Sequence, residues 1–151
     1  MKPLMIILYK ADDIDAFASY YLYHKQHHKT HRIMAYAISD CVPSFRHIYG
    51  ATFVLLGLPE LVSDSTVISS PCIRKVYEAF HPGQYVPDWI WLVERICLRK
   101  DMSYFDRLME SLLSRVSKKD LQGLDEFLGR YKHPVLMLDM IQEAEKNVMG
   151  W

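Results

Sequence analysis

The sequence predicts an α/β protein: a mostly parallel sheet of about four strands flanked by helices, with a helical C-terminal half. Three observations lead there. First, five apolar residues in a row, Leu4 to Leu8, suit a strand buried on both faces. Second, strand-like and helix-like stretches alternate through the first half, as βαβ units do. Third, from Pro87 onward the apolar residues recur at helical spacing. A chain of 151 residues is long enough for one substantial core. It is expected to form a single domain, with residues 1–85 making the sheet and 86–151 the helical part.

The opening stretch sets the pattern. After Leu4–Lys10 come three carboxylates within four positions, Asp12, Asp13 and Asp15. Ile14, Phe17, Ala18, Tyr21 and Leu22 then recur as one face of a helix over about 13–28. In an open α/β sheet, ligands sit at the carboxyl ends of the strands, where these acids fall. Carboxylates so close repel unless water or a cation screens them, and a hard divalent ion with oxygen ligands would relieve that repulsion. The other reading is local: Asp13 is a good helix N-cap, and Asp12 and Asp15 suit the positive end of the helix dipole.

The first helix ends in His24, His27, His28 and His31. Spacings of three, four and seven put them on one face if the helix reaches that far. The i, i+4 pairs have the spacing zinc or nickel sites use. Lys25, Lys29 and Arg32 surround them, which favours a solvated basic helix end. Residues 31–38 read as the second strand and 41–50, with Pro43 and Gly50, as a loop or short helix. Residues 52–56 form the third strand, closed by Gly57 and Pro59. Residues 65–69 form a short fourth strand, and 72–80 a helix stopped by His81-Pro82-Gly83. Four helices follow: one carrying Trp89 to Cys97, one starting near Asp101 or Ser103, one over 119–131, and one over 135–148 after Pro134.

Composition narrows the function classes. Half of the residues are hydrophobic, which excludes a disordered chain. Lys plus Arg equals Asp plus Glu at 18 each, so nothing in the overall balance calls for a polyanion or a membrane surface. Nucleic acid stays a minority reading, resting on the basic groups around Lys25 and on Arg115, Lys118 and Lys119. Cys41, Cys72 and Cys97 are scattered, an odd count that fits buried thiols in a reducing compartment. The N-terminal apolar run is too short for a signal core or a membrane span, so a cytoplasmic location is expected.

Asp13-Ile14-Asp15-Ala16-Phe17-Ala18-Ser19 resembles the first motif of the DHH-type phosphoesterases, an Asp-x-Asp-(Gly/Ala)-x-x-Ser turn between strand and helix. The order of elements over the first two thirds of the chain is similar to that family's N-terminal domain. The resemblance implies that Asp13 and Asp15 bind manganese or magnesium. The family's preceding histidine is replaced by Tyr9-Lys10. Its second motif, an aspartate closing a strand, falls at Leu56 or Gly57. Its Asp-His-His motif falls at Ser69, Ser70 and Pro71, and its fourth aspartate at Cys97 or Arg95, with Glu94 nearby. The family's substrate-binding domain has no counterpart here.

A two-metal phosphoesterase centre needs several ligands around ions ~3.5–4 Å apart. Asp13 and Asp15 are the metal candidates, with Asp12, Asp64 or Glu94 as helpers. The resemblance therefore implies an inherited shell with a dismantled centre. No cofactor is required, and magnesium or manganese would bind weakly. Such a chain would act by binding a macromolecular partner or by self-association. Tyr20, Tyr23, Tyr36, Tyr49, Tyr85, Trp91 and Trp151 are available for such an interface. The alternative is a minimal metal-dependent phosphoesterase acting on short nucleotides or pyrophosphate-like substrates, with Lys10 steadying phosphate charge.

Overall fold

A computed structural model describes residues 2–39, 48–116 and 120–149. Its strands are β1 (Leu4–Lys10), β2 (Arg32–Ile38), β3 (Ala51–Leu56) and β4 (Thr66–Ile68). Its helices are α1 (Ile14–His27), α2 (Ile73–Phe80), α3 (Asp88–Leu98), α4 (Tyr104–Val116), α5 (Leu121–Tyr131) and α6 (Pro134–Met149). All strands pair in parallel, in the order β2-β1-β3-β4. The α/β class and the four-stranded parallel sheet agree with the sequence reading. Most of the expected 41–50 loop, Cys41 included, lies outside the described residues, as do Lys118, Lys119 and Trp151.

Strand periodicity explains why the opening run is apolar throughout. Met5 and Ile7 point to the helical layer, and Val54 and Leu56 of β3 pack with them. Ile6 and Leu8 point the other way, beside Phe53 and Leu55. The β3–β4 connection folds over that second face and seals it with Leu58, Leu61 and Val62. The larger core continues from the sheet through α1 to α6, ending at Met140 and Ala144. The C-terminal helices bury stripes of the spacing read from the sequence, whereas α1 is buried nearly all round over Asp15–Ser19.

Polar clamps join the helices. Tyr21 of α1 donates a hydrogen bond to Asp125 of α5, and Lys25 pairs with the same carboxylate at 3.1 Å. Arg95 of α3 grips Asp106 of α4 through two bonds of 2.9 and 3.0 Å. Asp106 also accepts the Ser103 amide, while the Ser103 hydroxyl accepts the Asp106 amide, so the helix start is tied reciprocally. No helix among the described residues is long and apolar enough to cross a membrane.

Two outcomes follow from this packing. Ile7→Ala removes a fully buried side chain between sheet and helices. It should cost about 2–5 kcal/mol in urea unfolding. The Arg95 guanidinium, chiefly through its hydrogen bonds, holds Asp106 below the usual carboxylate range. That stabilisation is present above the unfolded carboxylate value and is lost as pH falls through the depressed folded value. Asp106→Asn should therefore lose less stability than the parent chain when unfolding is compared at neutral pH and below pH 4.

Candidate functional site

In the order β2-β1-β3-β4 the chain leaves β1 toward β2 on one side and returns to β3 on the other. The carboxyl ends of β1 and β3 thus flank a topological switch point, where open α/β sheets place ligands. A cleft of about 310 Å³ lies beside the β1–α1 turn. Asp12, Asp13, Asp15, Cys97, Arg99 and Glu110 are among its walls.

The β1–α1 turn builds its acidic corner from local chemistry. Asp12 takes a left-handed conformation, φ 55°, which Asp tolerates better than most residues, and is exposed. Asp13 is extended and caps α1, its Oδ1 accepting the Ala16 amide at 2.9 Å. Asp15, one turn in, is 1 % exposed. Its Oδ2 accepts the Cys72 amide at 2.7 Å and its Oδ1 the Ile73 amide at 2.8 Å. Those amides open α2, so Asp15 serves as a cap supplied from a distant helix. Burial pushes its pKa up, the two amides pull it down, and the Asp13 charge raises it further.

Several residues singled out by the DHH resemblance lie around this corner. A side chain at Gly57 would stand 3.5 Å from Ser70 Oγ, 3.5 Å from Lys10 Cβ and 3.8 Å from Ala16 Cβ. Gly57 has φ 71°, a turn that glycine makes without strain. Of the two positions that the DHH resemblance offered for its second motif, Gly57 is the one beside this corner. Leu56, the other candidate, is fully buried in the helical core because its register partner Tyr9 also faces the helices. At the fourth position Cys97 faces the cleft, whereas Arg95 turns to Asp106. Burial, with the charges of Asp15 and Asp13, raises the Cys97 thiol to about 11. A thiol so protonated is a poor nucleophile. The Cys72 thiol is raised for the same reasons and donates to the Ile68 carbonyl at 3.3 Å.

Several expected members of the site lie elsewhere. Glu94 does not face the cleft: Arg74 of α2 holds its carboxylate at 2.7 and 3.2 Å. Asp64 precedes β4 and so sits at the opposite end of the sheet. The Ser69 hydroxyl and carbonyl are taken by Lys75. Lys10 is exposed at the end of β1, beside Gly57. Pro71 stands between Ser70 and the capped amide of Cys72.

The four histidines lie at the end of α1, which runs to His27 with His28 as its cap. They form two pairs: His24 and His28 stack with centroids 5.3 Å apart, and His27 meets His31 edge-on at 5.3 Å. Burial and the neighbouring His28 lower the His24 pKa. Among the described residues no group of three His, Cys, Asp or Glu side chains is placed to hold a metal ion. Of the interface aromatics, Tyr36, Tyr49, Tyr85 and Trp91 are exposed, while Tyr23 is core and Tyr20 half-buried.

No family model, curated protein or solved structure matches this chain. The site must be read on its own geometry.

Sequence reasoning missed Arg99 and Glu110, an ion pair of 2.7 Å at the mouth of the cleft. Arg99 reaches it from a left-handed helix end, φ 52°, at a residue type that gives no warning of such a turn.

Replacing the cap tests the corner directly. Asp15→Asn places an amide donor against one of two backbone donors and should cost about 1–3 kcal/mol at neutral pH. Asp13→Ala, which removes an ordinary N-cap, should cost about 1 kcal/mol. Chemical denaturation of both variants checks the order.

Proposed function

We propose that this chain is a degenerate DHH-type phosphoesterase relative without catalytic activity, a cytoplasmic protein that works by self-association or by binding a macromolecular partner. One observation carries the reading. Both oxygens of Asp15 are engaged by the backbone amides of α2, so the second acid of the Asp-x-Asp turn serves the fold. Gly57, Ser70 and Cys97 stand around it where the resemblance calls for ligands. Glycine brings no donor atom, a serine hydroxyl carries no charge, and a thiolate is a soft ligand that manganese and magnesium bind poorly. Such a set falls short of what two divalent ions in contact require.

A second reading, a minimal phosphoesterase, draws on the cleft itself. Asp13 commits one oxygen to Ala16, and Asp12 stands exposed beside it. One magnesium or manganese ion, held chiefly by water, would fit these two acids.

Incubation with manganese and short oligonucleotides, pyrophosphate or cyclic dinucleotides separates the readings. The proposal expects no turnover, and calorimetry with either ion should give millimolar or weaker affinity. Turnover abolished by Asp13→Asn in folded protein would overturn it.

A further inference from the structure

The strand β2 forms one edge of the sheet, and its free side has a defined hydrogen-bonding pattern. The Arg32 amide donates to the Pro3 carbonyl, and the Ile38 carbonyl accepts from the Ala11 amide, both at 2.9 Å and both on the β1 side. Backbone groups alternate along a strand, so Arg32, Met34, Tyr36 and Ile38 direct theirs to β1. Ile33, Ala35 and Ala37 direct theirs outward, and among the described residues no strand pairs with that side.

Edges of this kind are usually blunted by charge, proline or short length. This one is seven residues long, contains no proline, and carries one charge, Arg32 at its start. Two large apolar side chains flank its midpoint on the face away from the helices, Met34 at 36 % exposure and Tyr36 at 45 %. On the helical side an open cleft of about 370 Å³ separates Ala35 from Leu121 and Gln122 at the start of α5, so the edge is not roofed there.

We infer that β2 pairs antiparallel with β2 of a second copy of this chain, about a two-fold axis through Ala35, to make a continuous eight-stranded sheet. The pattern is self-complementary about that residue. Ala35 of each copy exchanges two hydrogen bonds with Ala35 of the other. Ile33 does the same with Ala37, and Ala37 with Ile33, six bonds in all. Between them Met34 lies opposite Tyr36 of the other copy, twice, in the closer non-hydrogen-bonded pairing where side chains touch. Sulfur against an aromatic ring is a favourable contact. The two Arg32 side chains end up at opposite ends of the ladder, about 20 Å apart at ~3.3 Å per residue. A parallel pairing would set them side by side. The balanced charge of the chain adds no long-range repulsion between copies.

This inference deepens the binding reading by naming the partner, and rests on that reading for its functional meaning. Its test measures self-association alone, so a failure here leaves the dismantled site to its own hydrolysis assay. Sedimentation of the full chain should give twice the chain mass at tens of micromolar. Met34→Lys with Tyr36→Lys sets like charges opposite each other twice and should return the protein to a monomer. Met34→Lys with Tyr36→Glu sets opposite charges there and should keep the dimer. Hydrogen exchange on the unaltered chain needs no variant to fold: the amides of Ile33, Ala35 and Ala37 should gain protection as concentration rises. A monomer at every concentration, a dimer indifferent to both double variants, or amides whose protection ignores concentration would each overturn the pairing. Protection gained only when a foreign partner is added would do the same.

Discussion

The carboxylate of Asp15 ties together the two turns on which the rest of the molecule depends. It sits in the first turn of α1 and accepts the opening amides of α2, whose sequence lies more than fifty residues away. A helix start buried without acceptors would leave donors that neither water nor the core could satisfy. One acid answers both: it is acidic residue in one helix and cap of another. The strands β1 and β4, at an interior and an edge position, thereby have their carboxyl ends locked side by side, across β3.

That lock sits where an open α/β sheet would hold a ligand. The geometry of the switch point is intact: β1 and β3 end together, the chain turns sharply at Asp12 and Gly57, and a cleft opens toward α3 and α4. Among the described residues no three metal-ligating side chains gather there. Glu110 pairs with Arg99 at the cleft, and nearby on the helices Glu94 pairs with Arg74 and Asp106 with Arg95. Within the corner, burial and then the charges of Asp15 and Asp13 hold the neighbouring thiols protonated.

Much of the fold was legible because it follows from short-range periodicity. The run Leu4–Leu8 had to be buried on both sides, and Met5 and Ile7 did turn opposite to Ile6 and Leu8. Asp13 as a cap was readable from its place before Ile14. The second role of Asp15 was not, because its partners Cys72 and Ile73 become neighbours only once β3 and β4 are laid beside β1. Leu56 and Gly57 could not be told apart as motif positions without the register that turns Leu56 into the core. Glu94 was drawn toward the acids by sequence proximity to Cys97, yet its carboxylate is taken by Arg74 of α2.

The central claim is that Asp15 is held by backbone amides and not by a metal ion. Carboxyl-carbon NMR of Asp15 followed through a pH titration, with and without excess magnesium, tests it most directly. The account predicts a midpoint above the ordinary aspartate value that magnesium leaves in place, because burial raises it and the oxygens are already occupied. A midpoint driven well below that value by magnesium, with a matching shift of Asp13, would contradict it.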